Sequence, residues 1–91
     1  MGTVYPIEKI SAIVQQHQIP FLCDGSQTVG KVPIRFDEWG ITMLALSGHK
    51  LYGPKGVGAL VVKREHRLEP LMYGGDQQHG LRPGTLNVSG I

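Results

Sequence analysis

Lys50 closes the run Ser47-Gly48-His49-Lys50 and opens the turn-rich stretch Leu51-Tyr52-Gly53-Pro54-Lys55-Gly56. The apolar run Met43-Leu44-Ala45-Leu46 just before it has the length and character of a buried strand. The amine therefore leaves a rigid element and enters a loop punctuated by glycine and proline. Condensation with an aldehyde is one of the few chemistries that specifically requires a lysine amine, so the position suits a lysine that holds pyridoxal phosphate. Taken alone, the tetrapeptide is equally compatible with an ordinary strand end. A second polar group sits at a second strand end, where Phe21-Leu22-Cys23 runs into Asp24-Gly25-Ser26-Gln27. By itself Asp24 reads as a turn cap. Paired with Lys50 it gains a chemical task, because ligands of open α/β sheets bind outside the carboxyl ends of the strands and a carboxylate keeps a pyridine nitrogen protonated.

The elements that must position these two groups follow from the apolar pattern. Pro6 suits the first turn of a helix, Glu8 adds a favourable early charge, and Ile7, Ile10 and Val14 recur on one face, which predicts an amphipathic helix ending near His17. Next come the Phe21 strand, a loop through Gly30, a brief Val32-Pro33-Ile34 segment and a short helix near Asp37 to Trp39. Strands over Met43–Leu46 and Gly58–Val62 flank the lysine turn, and the glycines and Pro83 from Tyr73 onward predict an irregular arm. Trp39 and Tyr52 read as packing residues. Cys23 lies inside a strand one residue before Asp24 and reads as a buried structural thiol.

The stretch from Phe21 to Ile91 resembles the cofactor-binding domain of cysteine desulfurases, members of the class V aminotransferase family with the aspartate-aminotransferase type of fold. Asp24-Gly25-Ser26-Gln27-Thr28-Val29-Gly30-Lys31 is similar to the family's Asp-Ala-Ala-Gln-Ser-Val-Gly-Lys, and Ser47 to Gly56 matches its lysine motif at almost every position. Leu68-Glu69-Pro70-Leu71 and Gly74-Gly75 also match, and Gly80-Leu81-Arg82-Pro83-Gly84-Thr85-Leu86-Asn87-Val88 is similar to the family's Gly-Leu-Arg-Ser-Gly-Thr run. The resemblance implies an α/β fold: part of the pyridoxal-phosphate transferase large domain, a mixed, mostly parallel sheet with flanking helices, in which the Gly58 strand is antiparallel.

It also implies roles. Lys50 would hold the cofactor aldehyde and later move protons, Asp24 would pair with the pyridine nitrogen, and Gln27 would bond the ring's phenolic oxygen. Ser47 and His49 would hold the phosphate, and Thr85 would reach the phosphate of a neighbouring subunit, which makes the expected state a homo-oligomer. L-cysteine would be the substrate, and proteins of iron–sulfur cluster assembly would accept the sulfur. The departures cluster near these groups: Gly25 and Ser26 replace two alanines, Asp76, Gln78 and His79 stand where the family has Gly, Glu and Arg, and Pro83 replaces a serine.

With 91 residues, the chain is several times shorter than the family's subunit. Residues 1–91 are accordingly expected to be one partial cofactor-binding domain, arm-like from about residue 73. The expectation is weak or absent cofactor binding and no desulfuration by the chain alone, because the family's mobile-loop cysteine and substrate arginine have no counterpart here. The alternatives are a non-catalytic, self-associating remnant, or part of a related class V aminotransferase or selenocysteine lyase.

Composition sets the remaining bounds. Hydrophobic residues make up 41%, and 13 glycines with 6 prolines stay below the roughly 25–30% that marks disorder. No apolar run approaches the ~20 residues that cross a bilayer, and no basic-then-apolar leader opens the chain, so no membrane association and a cytoplasmic location are expected. The charge of +2 is spread except in Lys63-Arg64-Glu65-His66-Arg67, which reads as a solvated turn and not a nucleic-acid patch, since no aromatic residue is interleaved. The histidines lack metal-ligand spacing and Cys23 has no near partner, so no metal site is expected.

Overall fold

A computed structural model describes residues 2–91. Its regular elements are helix α1 (Ile7–Gln16) and strands β1 (Leu22–Asp24), β2 (Met43–Ser47) and β3 (Gly58–Val62). The strands form one mixed sheet in the order β1-β2-β3, with β1 parallel and β3 antiparallel to β2. Leu22 pairs with Met43 and Asp24 with Ala45, while Ser47 pairs with Gly58. The central strand is the apolar run that precedes the lysine turn, so both neighbours are registered on the element that carries the candidate site.

Side chains alternate across the sheet. Leu44 and Leu46 project to one face, where Val29, Val32, Ile34 and Phe36 line an apolar hollow of about 280 Å³ with them. The opposite face is more open, and Leu22 and Leu60 are each about half exposed there. The deepest apolar side chains among the described residues are Ile41 and Leu44.

Helix α1 ends where the pattern places it, and its ending has a definite chemistry. Ile19 N–H donates to the Val14 carbonyl and Gln18 N–H to the Gln15 carbonyl, both at 3.0 Å, with Gln18 left-handed at φ 55°. These are the paired bonds that close a helix on a left-handed residue, a position that usually carries glycine. Ile7, Ile10 and Val14 are half-buried, but the helix residue that is fully buried is Ser11. Gln15 Nε2 donates to Ser11 Oγ at 3.0 Å and to the Trp39 carbonyl at 2.9 Å, so a polar clasp ties the helix to the chain just before β2.

Three details differ from the sequence reading. The first strand begins at Leu22 and includes Asp24, because Phe21 uses its N–H and carbonyl on Thr42 and Met43 at the strand entrance. The segment 36–40 is a hydrogen-bonded turn with Gly40 at φ 61°, in place of a helix over Asp37–Trp39. Tyr52 is not a packing residue: it is fully exposed.

Candidate functional site

Asp24 and the Ser47–Lys50 segment share the C-terminal edge of the parallel pair. Asp24 ends β1 opposite Ala45, and Gly25 N–H continues the ladder by donating to the Ala45 carbonyl at 2.9 Å. The chain then winds through turns: Thr28 and Val29 N–H donate to the Gly25 carbonyl, and Lys31 and Val32 N–H to that of Thr28. Gln27 is exposed within the first of these turns.

The exposed Asp24 carboxylate is fixed by its own turn, Oδ1 accepting from Ser26 N–H at 2.9 Å. Hydrogen bonding from Ser26, through its side chain and then its backbone, holds the Asp24 carboxyl below the usual carboxylate range. Cys23 next to it behaves oppositely, since partial burial and then the Asp24 charge push its thiol up. A thiol held protonated is a poor nucleophile, and the structural reading of Cys23 agrees with its half-buried place in β1.

Gly48–Leu51 forms a 3₁₀ turn directly after β2. Gly48 N–H donates to the Val57 carbonyl at 2.9 Å, and the Gly48 carbonyl accepts from Gly53 N–H at 3.0 Å. These bonds tie the turn to the entry of β3. A β-carbon on Gly48 would stand 2.8 Å from Val57 Cγ1 and 3.0 Å from the Val57 carbonyl oxygen, so the close approach requires glycine. Tyr52 leaves the turn in the left-handed region at φ 65°. Within the turn, Ser47 Oγ and His49 Nδ1 are hydrogen-bonded at 2.9 Å, and Lys50 is half-buried.

The edge therefore collects a carboxylate, an amine, a hydroxyl and an imidazole. Thr85 stands apart in sequence, exposed in the irregular segment, and no described hydrogen bond joins it to the others. Its neighbour Gly84 donates its N–H to Gln77 Oε1 at 3.1 Å, which ties the two sides of that segment together. The residue that sequence reasoning missed is Ser26. The signal was present in Asp24-Gly25-Ser26, because a carboxylate that accepts from the N–H two residues on is the ordinary Asx turn.

Comparison with known proteins gives a consistent result. The family model described as "Aminotransferase class-V" matches residues 1–91. Cysteine desulfurase IscS of Dictyoglomus turgidum is 46% identical over 91 residues, covering 100% of this chain and 23% of that protein. The mitochondrial cysteine desulfurase of Arabidopsis thaliana is 49% identical over 87 residues, covering 93% of this chain and 19% of that protein. Among solved structures, SspA in complex with cysteine superposes with a TM-score of 0.92 at 48% identity, covering 99% of this chain and 26% of that one. The chain thus spans about a fifth to a quarter of the length of the relatives it matches.

Proposed function

Because the chain belongs to the class V aminotransferase family, whose members depend on pyridoxal phosphate, we propose that it forms the lysine side of the cofactor site of a cysteine desulfurase, which converts L-cysteine to alanine and hands the sulfur to a thiolate. The observation that carries this is the placement of the Ser47–His49–Lys50 turn at the end of β2, beside the Asp24 end of β1.

The donor set fits that cofactor group by group. Asp24, kept ionised by Ser26, would keep a pyridine nitrogen protonated, and Gln27 would bond the phenolic oxygen. Ser47 and His49 are already hydrogen-bonded to each other. With the Ser47 hydroxyl donating to Nδ1, the other ring nitrogen carries the proton and can donate to a phosphate oxygen. When bound, pyridoxal phosphate supplies an electron sink for bonds at the substrate's α-carbon. Lys50 would hold the cofactor and shuttle the α-proton, a task that the rigid link to β2 and to Val57 favours, since a misplacement of even ~1 Å can cost about a hundredfold in rate. The sulfur-accepting thiolate would come from outside these residues, because the Cys23 thiol is held protonated in a strand. Thr85 would serve the site of a second subunit in a homodimer, and proteins of iron–sulfur cluster assembly would take the sulfur.

Borohydride reduction in the presence of pyridoxal phosphate, followed by peptide mapping, tests the site. The stable adduct is expected on Lys50 and absent from Lys50→Ala. Even labelling of the chain's lysines would overturn the assignment.

A further inference from the structure

Beyond β3 the chain turns sharply through its densest charge cluster. Lys63 N–H donates to the Thr42 carbonyl and His66 N–H to the Lys63 carbonyl, both at 2.9 Å, so the backbone of this turn is pinned to the sheet. Across from it lies the turn Gln77–Gly80, and between the two is a groove of about 460 Å³. Val62 and Leu68 supply part of its apolar wall, and Lys63, Arg64, His66 and His79 are its basic lining residues. No carboxylate is among the lining residues. Glu65 lies between Arg64 and His66 in sequence, and Asp76 immediately precedes the Gln77–Gly80 turn, yet neither lines the groove.

The side that presents His79 is strained. Gln78 and His79 are both left-handed, at φ 52° and 58°, although neither is glycine. Consecutive side-chain-bearing residues rarely adopt this conformation, and such strain collects at ligand sites. The volume lies within the roughly 300–1,000 Å³ of small-molecule sites. Four basic residues lining a concavity of this size, without a lining carboxylate, suit a compact ligand bearing more than one negative charge.

We propose that this groove binds a small dianion of the phosphate class, held by Lys63, Arg64, His66 and His79, with the organic part of a phosphate ester against Val62 and Leu68. It lies on residues other than those of the Lys50 edge and does not depend on the function proposed for that edge. Ammonium and guanidinium supply fixed charge, whereas imidazole is the side chain that gains charge between about pH 8 and 5. Affinity should therefore rise as the pH falls.

Sulfate is the suitable probe, because it keeps both charges across this range and cannot react with Lys50. Titration of the full chain at low ionic strength, followed by amide resonances, is expected to shift residues 62–68 and 77–81, with tighter binding at about pH 6 than at about pH 8. Lys63→Gln combined with His79→Gln should weaken binding about tenfold or more. Lys9→Gln, which removes an exposed charge on α1, should change it less than about twofold. His79→Gln alone should reduce the pH dependence without abolishing it, since His66 remains, a readout that holds even if the double variant folds poorly. Shifts spread over all lysines, or centred on Lys50, would overturn the proposal, as would equal losses in Lys9→Gln. Displacement by a long polyanion such as heparin, with no local response to sulfate or inorganic phosphate, would make the cluster a surface patch and also overturn it.

Discussion

At the scale of single residues, the Asp24 carboxylate is set by what the next turn donates to it. Its folded pKa lies below the ordinary value, so its contribution to stability is fully present above about pH 3.9 and is lost as the pH falls through the depressed folded value. A carboxyl-detected titration should place Asp24 below the ordinary aspartate range, and Ser26→Ala should move it upward. The same charge acts on its neighbour. Since burial and then Asp24 raise the Cys23 thiol, alkylation at neutral pH should be slow, and Asp24→Asn should accelerate it. Unchanged alkylation in Asp24→Asn would show that burial alone governs Cys23. The identities of Asp24, Ser47, His49 and Lys50 were legible because strand ends and glycine turns mark themselves. The Ser47–His49 bond was not, because two residues of spacing do not state which way either side chain turns.

Elements carry these residues through close backbone approaches more than through regular secondary structure. Gly48 has no room for a methyl group against Val57, so Gly48→Ala should destabilise the chain by about 1–3 kcal/mol and lower adduct formation at Lys50. Loss of stability with undiminished labelling would show that the turn tolerates the displacement. Helix α1 offers the converse test. Gln18 holds a left-handed position that glycine occupies without strain, so Gln18→Gly should stabilise by up to about 1 kcal/mol, or roughly 4–8 °C in Tm for a domain of this size. Gln15→Ala should cost about 1–3 kcal/mol, because it leaves the buried Ser11 hydroxyl without its donor. The helix and both longer strands were readable from apolar periodicity. The clasp through Gln15 was not, since its partner is a carbonyl 24 residues away.

At the scale of the whole molecule, little apolar surface is enclosed. The radius of gyration is 14.8 Å, against about 12 Å for a compact chain of this length. Ile41 and Leu44 are the buried apolar side chains among the described residues, while Leu71, Tyr73 and Val88 are largely exposed. Leu44→Ala, worth about 2–5 kcal/mol in a well-packed core, should therefore unfold most of the population, as a circular dichroism melt would show. Self-association should follow from the exposed apolar groups of the final segment. Sedimentation across a concentration series should reveal it, and a chain stopping at Met72 should associate less. A monomer at high concentration, unchanged by that truncation, would rule it out. Among the described residues, no helix is long and apolar enough to cross a membrane.

By itself the sequence determined which residues could do chemistry and which elements would hold them, because a lysine after a buried strand and a glycine-rich turn are local statements about polarity and backbone freedom. The separated motifs from Asp24 to Asn87 likewise carried the family, since residue type and order need no coordinates. Tertiary structure alone decided that Asp24 ends its strand opposite Ala45, beside the lysine turn, because register depends on hydrogen bonds between segments about 20 residues apart. It also decided that Tyr52 faces solvent and that His66 and His79 line one groove. Burial and convergence are properties of chain paths that meet in space, and the spacing of residues along the chain does not contain them.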